Sequence, residues 1–156
     1  MRLTRLASSF VFVMFGASIA PVAAAPLLLP HRAVYDLALE NASDRSGITG
    51  ISGRMVYEFA GSRCDGYTVT FRFVTRIDTP DVSRITDQQT TTYEEGDGKG
   101  FTFVTRSFID DSIDRDLKGS AKLSDGETRV SLEKPDRKQL ELAAAQFPTQ
   151  HLLEML

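Results

Sequence analysis

The feature that most limits the fold of this chain is the period of its apolar residues. From His31 onward, apolar and polar side chains alternate with a period of two, and clusters of Gly, Pro, Asn, Asp and Ser break the pattern about every ten residues. A strand sends successive side chains to opposite faces, so each alternating stretch has one face to bury. Residues 31–40 set Ala33, Tyr35, Leu37 and Leu39 against Arg32, Asp36 and Glu40. Residues 51–59 set Ile51, Gly53, Met55, Tyr57 and Phe59 against Ser52, Arg54 and Glu58. The segment 67–77 resumes the alternation with Tyr67, Val69, Phe71 and Phe73, across a turn that holds Cys64. Further strands are predicted over 82–93, which is Thr-rich and polar, and over 101–109, 113–123, 128–132 and 138–142, with an Asp125-Gly126 hairpin turn between the sixth and seventh. No helical period intervenes, so the expected class is mainly β, an antiparallel meander closing toward a barrel or sandwich, and a parallel α/β fold is excluded. A helix is expected only at the end, where Phe147-Pro148-Thr149 leads into Leu152, Leu153, Met155 and Leu156, with Thr149 as its cap.

Ahead of the strands, Arg2 and Arg5 precede an almost wholly apolar run from Leu6 to Ala20, which ends in Pro21-Val22-Ala23-Ala24-Ala25. This is the pattern of a secretory signal peptide over residues 1–24, cut between Ala24 and Ala25 to leave a mature domain of 25–156. The apolar run is shorter than the roughly 20 residues a bilayer-spanning helix needs, so the mature chain is not expected to span a membrane. Without Arg2 and Arg5, 16 of the 18 Lys and Arg remain against 21 Asp and Glu, a formal charge of −5 that argues against a nucleic-acid surface. Arg72 and Arg76 come closest to a cationic stripe and read as a solvated strand face. Cys64 is the single cysteine in a chain bound for an oxidising compartment. It is therefore buried, paired with another chain, or separated from an intramolecular partner. An apolar helix stopping within about two turns suggests, with that unbalanced cysteine, an N-terminal part of a longer protein.

Catalytic patterns are absent. The two histidines, His31 and His151, lie near the ends of the mature chain, no Gly-x-Ser-x-Gly elbow occurs, and glycine loops for phosphate and zinc spacings are missing. Oxygen ligands cluster at Glu94-Glu95-Gly96-Asp97 and at Asp110, Asp111, Asp114 and Asp116, but neither group fits a calcium loop, and both read as solvated charge. No metal or cofactor is expected. What stands out is an aromatic face of Tyr57, Phe59, Tyr67, Phe71, Phe73, Phe101 and Phe103, which serves either to fill a small barrel or to line a cavity for an acyl chain or peptide.

The stretches Pro30-His31-Arg32-Ala33-Val34-Tyr35-Asp36-Leu37, Gly53-Arg54-Met55-Val56-Tyr57-Glu58-Phe59, Cys64-Asp65-Gly66-Tyr67, Thr86-Asp87 and Phe147-Pro148-Thr149 resemble the EipB family of exported envelope integrity proteins. The resemblance implies a periplasmic, alphaproteobacterial protein whose antiparallel strands wind into an open, spiral β-barrel with an associated helix. It implies a disulfide from Cys64 to a cysteine near the C-terminus of longer members, a position outside this chain. It also implies a non-enzymatic role in envelope integrity through protein contacts, with a tetratricopeptide-repeat protein as partner. The alternative reading is a binder or carrier of lipid or another hydrophobic envelope component in the barrel.

Overall fold

The structure, a computed structural model, describes residues 28–156, so the expected leader and its cleavage point at Ala24 and Ala25 lie outside the described residues. Eight strands follow one another: β1 (His31–Ala38), β2 (Gly50–Ser62), β3 (Gly66–Asp78), β4 (Ser83–Glu94), β5 (Gly100–Ile109), β6 (Ser112–Ser124), β7 (Glu127–Lys134) and β8 (Lys138–Ala143). They form one antiparallel sheet in the order β1 to β8, each strand beside its neighbour in sequence. The sheet is open and does not close into a barrel, since β1 and β8 are not hydrogen-bonded to each other. One helix, α1 (Pro148–Met155), follows β8.

Two hairpins turn on two residues each. Asp125 and Gly126 both have positive φ, 52° and 81°, between β6 and β7, which is the twist a two-residue hairpin requires. Asp110 and Asp111 do the same between β5 and β6, with φ of 49° and 65°. The acidic pair read from the sequence as solvated charge is exposed and also forms the turn, and Asp110 accepts a hydrogen bond from the Ile85 amide at 2.9 Å.

The register sorts the side chains into two faces. One carries the cross-strand row Gly61, Tyr67, Glu94, Phe101, Ala121, Val130 and Leu140, and next to it the row His31, Phe59, Val69, Thr92, Phe103, Gly119 and Leu132. The helix packs on this face, at the end marked by those two rows. The opposite face carries ion pairs between neighbouring strands: Arg54 with Asp36 at 2.6 Å, Arg72 with Asp87 at 2.8 Å, and Lys134 with Asp116 at 2.7 Å. Arg72 and Arg76, read as a solvated strand face, are exposed there and each pairs with an aspartate, Asp87 and Asp78.

Burial follows the helix. Among the described residues the buried apolar side chains are Phe59, Tyr67, Ala121, Phe147 and Leu153: Phe59 and Tyr67 pack with Leu153 of α1, Phe147 precedes the helix, and Ala121 pairs with Phe101, on which Phe147 stacks. Away from it, Met55, Phe71 and Phe73 on the same face are only half-buried.

Candidate functional site

The site is the junction of α1 with the sheet. An eight-residue helix is too short to be stable alone in water, so α1 depends on what it packs against. Leu153, 8% exposed, seals against Phe59 and Tyr67, whose rings stack at 5.6 Å. Phe147, the residue before the helix, stacks on Phe101 at 5.2 Å with the rings 14° from parallel. The Ala145 amide, donating to Thr128 Oγ1 at 3.3 Å, ties the approach to α1 onto β7.

The first amides of any helix have no partner within it, and the helix dipole places positive potential there. No side chain of α1 or its flank caps them: the N-cap is Phe147, and Thr149, expected as the cap, is the second residue of the helix. The cap comes from 55 residues earlier. Glu94, 3% exposed at the end of β4, accepts the Thr149 amide on Oε2 and the Gln150 amide on Oε1, each at 2.8 Å. A buried carboxylate is tolerated only when its oxygens are hydrogen-bonded, and here the backbone amides and the helix dipole supply that compensation. The register places Glu94 between Tyr67 and Phe101, so the carboxylate stands in an aromatic floor with α1 above it. The reading of residues 94–97 as solvated charge is thus right for the exposed Glu95 and Asp97 and wrong for Glu94. Its sequence context of Thr and acidic residues carries no sign of burial.

Beside the helix opens an apolar cleft of 270 Å³, lined by Leu28, Leu29, His31, Tyr57, Phe59 and Leu152. Phe59 belongs both to the cleft wall and to the floor under Leu153, and Leu152 contributes a wall from α1 itself. His31 lies with its ring 5.7 Å from Tyr57 and 5.9 Å from Phe59, and its Nδ1 is 2.9 Å from the Leu29 carbonyl. That places His31 as an exposed ring lying against Tyr57 and Phe59 and bonded to backbone. Burial pushes the Tyr57 phenol above its ordinary range. Larger hollows of 390 Å³ occur on the opposite face, one over the serines and charged side chains of the β6–β7 hairpin and one, itself largely apolar, over Thr91, Tyr93, Thr102 and Val104 of β4 and β5; neither has a wall from α1.

The remaining residues singled out in the sequence lie apart from the junction or at its edge. Cys64 is an exposed thiol in the turn between β2 and β3, with its amide donating to Ser62 Oγ at 3.3 Å. His151 is in the first turn of α1, 3.3 Å from Gln146 Oε1. Asp116 sits on the opposite face, its carboxyl lowered chiefly by its hydrogen bond to Lys134, while Asp114 is exposed. Among the described residues, no three His, Cys, Asp or Glu side chains gather where they could share a metal ion, and no helix is long and apolar enough to cross a membrane.

Comparison with known proteins places this arrangement. The family described as EipB-like matches residues 22–156. The chain is 50% identical, over 162 aligned positions, to the cell envelope integrity protein EipB of Brucella abortus (strain 2308), an alignment that takes in 100% of this chain and 58% of that protein. It also resembles a solved beta-barrel-like protein of a domain of unknown function from Brucella abortus, with a TM-score of 0.79 and 54% identity, over 82% of this chain and 54% of that one. The chain thus spans little more than half the length of these relatives. With the family match running through every described strand and the helix, the chain belongs to the EipB-like family.

Proposed function

We propose that this chain acts in the periplasm as a non-enzymatic protein that supports cell envelope integrity and homeostasis through contacts with other proteins, with a tetratricopeptide-repeat protein as the expected partner. The observation that carries the reading is the 50% identity, along the whole chain, to a relative named for cell envelope integrity. The use made of the titratable groups favours a binding role over catalysis. Glu94 is spent on helix amides, His31 on packing and a backbone carbonyl, and the aspartates of the opposite face on arginine and lysine partners. The test is genetic. A strain lacking the gene is expected to be sensitive to detergent and to antibiotics that act on the cell wall. The intact gene should restore survival, and a copy lacking codons 2–24 should not. Equal rescue by the leaderless copy would sink the periplasmic assignment.

A second reading, a binder or carrier of lipid or another hydrophobic envelope component, is favoured by one observation: the apolar cleft beside α1, with two rings that carry polar groups, His31 and Tyr57, in its wall. Clefts that are mostly apolar with a few polar groups are the ordinary form of small-molecule sites. A fluorescent long-chain fatty acid added to the mature protein should brighten on binding, and substitution Phe59→Asp should abolish the signal.

A further inference from the structure

We propose that α1 is a lid on the apolar floor of the sheet, that Glu94 is its latch, and that opening the lid merges the cleft with the floor into one longer apolar site. The inference rests on reading the cleft as a seat for a hydrophobic ligand.

Three observations converge on it. The cleft and the covered floor are already continuous, since Phe59 lines the one and is the centre of the other, and only α1 divides them. The helix itself supplies both the dividing wall, Leu152, and the seal, Leu153, so one rigid movement of α1 removes both. The attachment is also concentrated. At its N-terminal end the helix is held by the two amides on Glu94 and by the Phe147–Phe101 stack, and within the helix Leu153 is the one buried apolar side chain. Elements with few buried contacts open at lower free energy than the body that carries them. The sheet has no such concentration, because every interior strand is paired along both edges.

The occupant that fits is a single alkyl chain. The closed cleft, at 270 Å³, is small for a ligand site, and its lining continues without a polar break through Phe59 to Tyr67. Release of α1 leaves the Glu94 carboxylate at the end of that floor, beside Tyr67 and Phe101, where water can solvate it once the helix amides have gone. Glu94 is a positioning residue here: it acts on the ligand site only through the helix.

The experiment uses the full mature chain in two measurements. Native-state hydrogen exchange compares wild type with Glu94→Gln and Glu94→Ala. The amides of residues 151–155 should exchange at least about tenfold faster in Glu94→Ala, with Glu94→Gln between, while the amides of β3 to β5 keep their protection. A fluorescent long-chain fatty acid should then bind about tenfold more tightly to Glu94→Ala than to wild type, because the variant no longer has to open the lid first. Leu153→Ala, which loosens the lid without touching the latch, should shift both readouts the same way. Exchange of α1 and the sheet at one common rate in every variant overturns the lid. Freed α1 with unchanged probe affinity overturns the gate and leaves the cleft reading standing. Freed α1 with no probe bound to any variant overturns the gate and the hydrophobic-ligand reading together.

Discussion

At the scale of single residues, two positions show how much of this sheet depends on local constraint. Gly66 opens β3 with φ of 82°, and a Cβ there would stand 2.5 Å from the Tyr93 hydroxyl, which itself donates to the Asp65 carbonyl at 3.0 Å. Replacement Gly66→Ala must both strain the backbone and displace the Tyr93 ring, so it should cost about 1–3 kcal/mol, read from the urea midpoint. A variant as stable as the wild type would mean that the turn can rebuild itself. The second position is Asp87. Its hydrogen bond to Arg72 holds its carboxyl below the usual carboxylate range, with Gln89 helping. A carboxyl depressed in the folded state contributes stability that is present above the unfolded value, near pH 4, and is lost as pH falls through the folded one. Arg72 is largely exposed, so the pair contributes no more than ~1 kcal/mol. Arg72→Ala should bring the Asp87 titration, followed by carboxyl NMR, back up toward the ordinary range and flatten the stability profile below pH 4. An unmoved titration would show that the arginine is not the cause.

Elements are decided by pattern and by turns, and the two were not equally visible. All eight strands are legible in sequence, most of them in the alternation and β4 only as a polar Thr-rich stretch between turns, and so is the buried face, since Phe59, Tyr67, Phe71 and Phe101 carry the same parity in sequence as in the register. The Asp125-Gly126 turn announces itself, because glycine and aspartate tolerate positive φ. Asp110-Asp111 does not, since two aspartates look the same whether they turn a chain or face water. The latch was the least visible of all: the burial of Glu94 is caused by Thr149 and Gln150, 55 and 56 residues away, and nothing near Glu94 records it. The turns offer opposite predictions. Gly126→Val places a β-branched residue at φ of 81° and should destabilise by about 1–2 kcal/mol. Asp111→Gly relieves a residue at φ of 65° and should stabilise by up to ~1 kcal/mol. Thermal melts of the two variants check both signs, and a shift in the same direction for both would contradict the turn assignment.

The whole molecule is asymmetric along its strands. The buried apolar groups collect at the α1 end, around Phe59, Tyr67, Ala121, Phe147 and Leu153, while at the other end, near Leu37, Ile85 and Ile113, no described apolar side chain is buried. Local stability follows burial, so hydrogen exchange across β2 to β6 should be slowest near the row Gly61, Tyr67, Glu94, Phe101 and Ala121 and fastest toward Ile109 and Ser112. Even protection along each strand would show that the sheet opens as one unit and that the helix end does not anchor it. The serial order of the sheet bears on how such a chain comes to be built. A polypeptide exported as proposed above crosses the membrane N-terminus first and folds beyond it, and here every new strand finds its partner already made, as the strand that emerged just before it. Among the described residues no strand waits for a distant mate, the circumstance in which half-made β proteins aggregate. Only α1 reaches far back, arriving after all eight strands to settle on Phe59, Tyr67 and Glu94, which belong to β2, β3 and β4. Until it does, the emerging sheet carries a bare aromatic patch, and the interval between the arrival of Glu94 and that of Thr149 is when the chain most needs a chaperone.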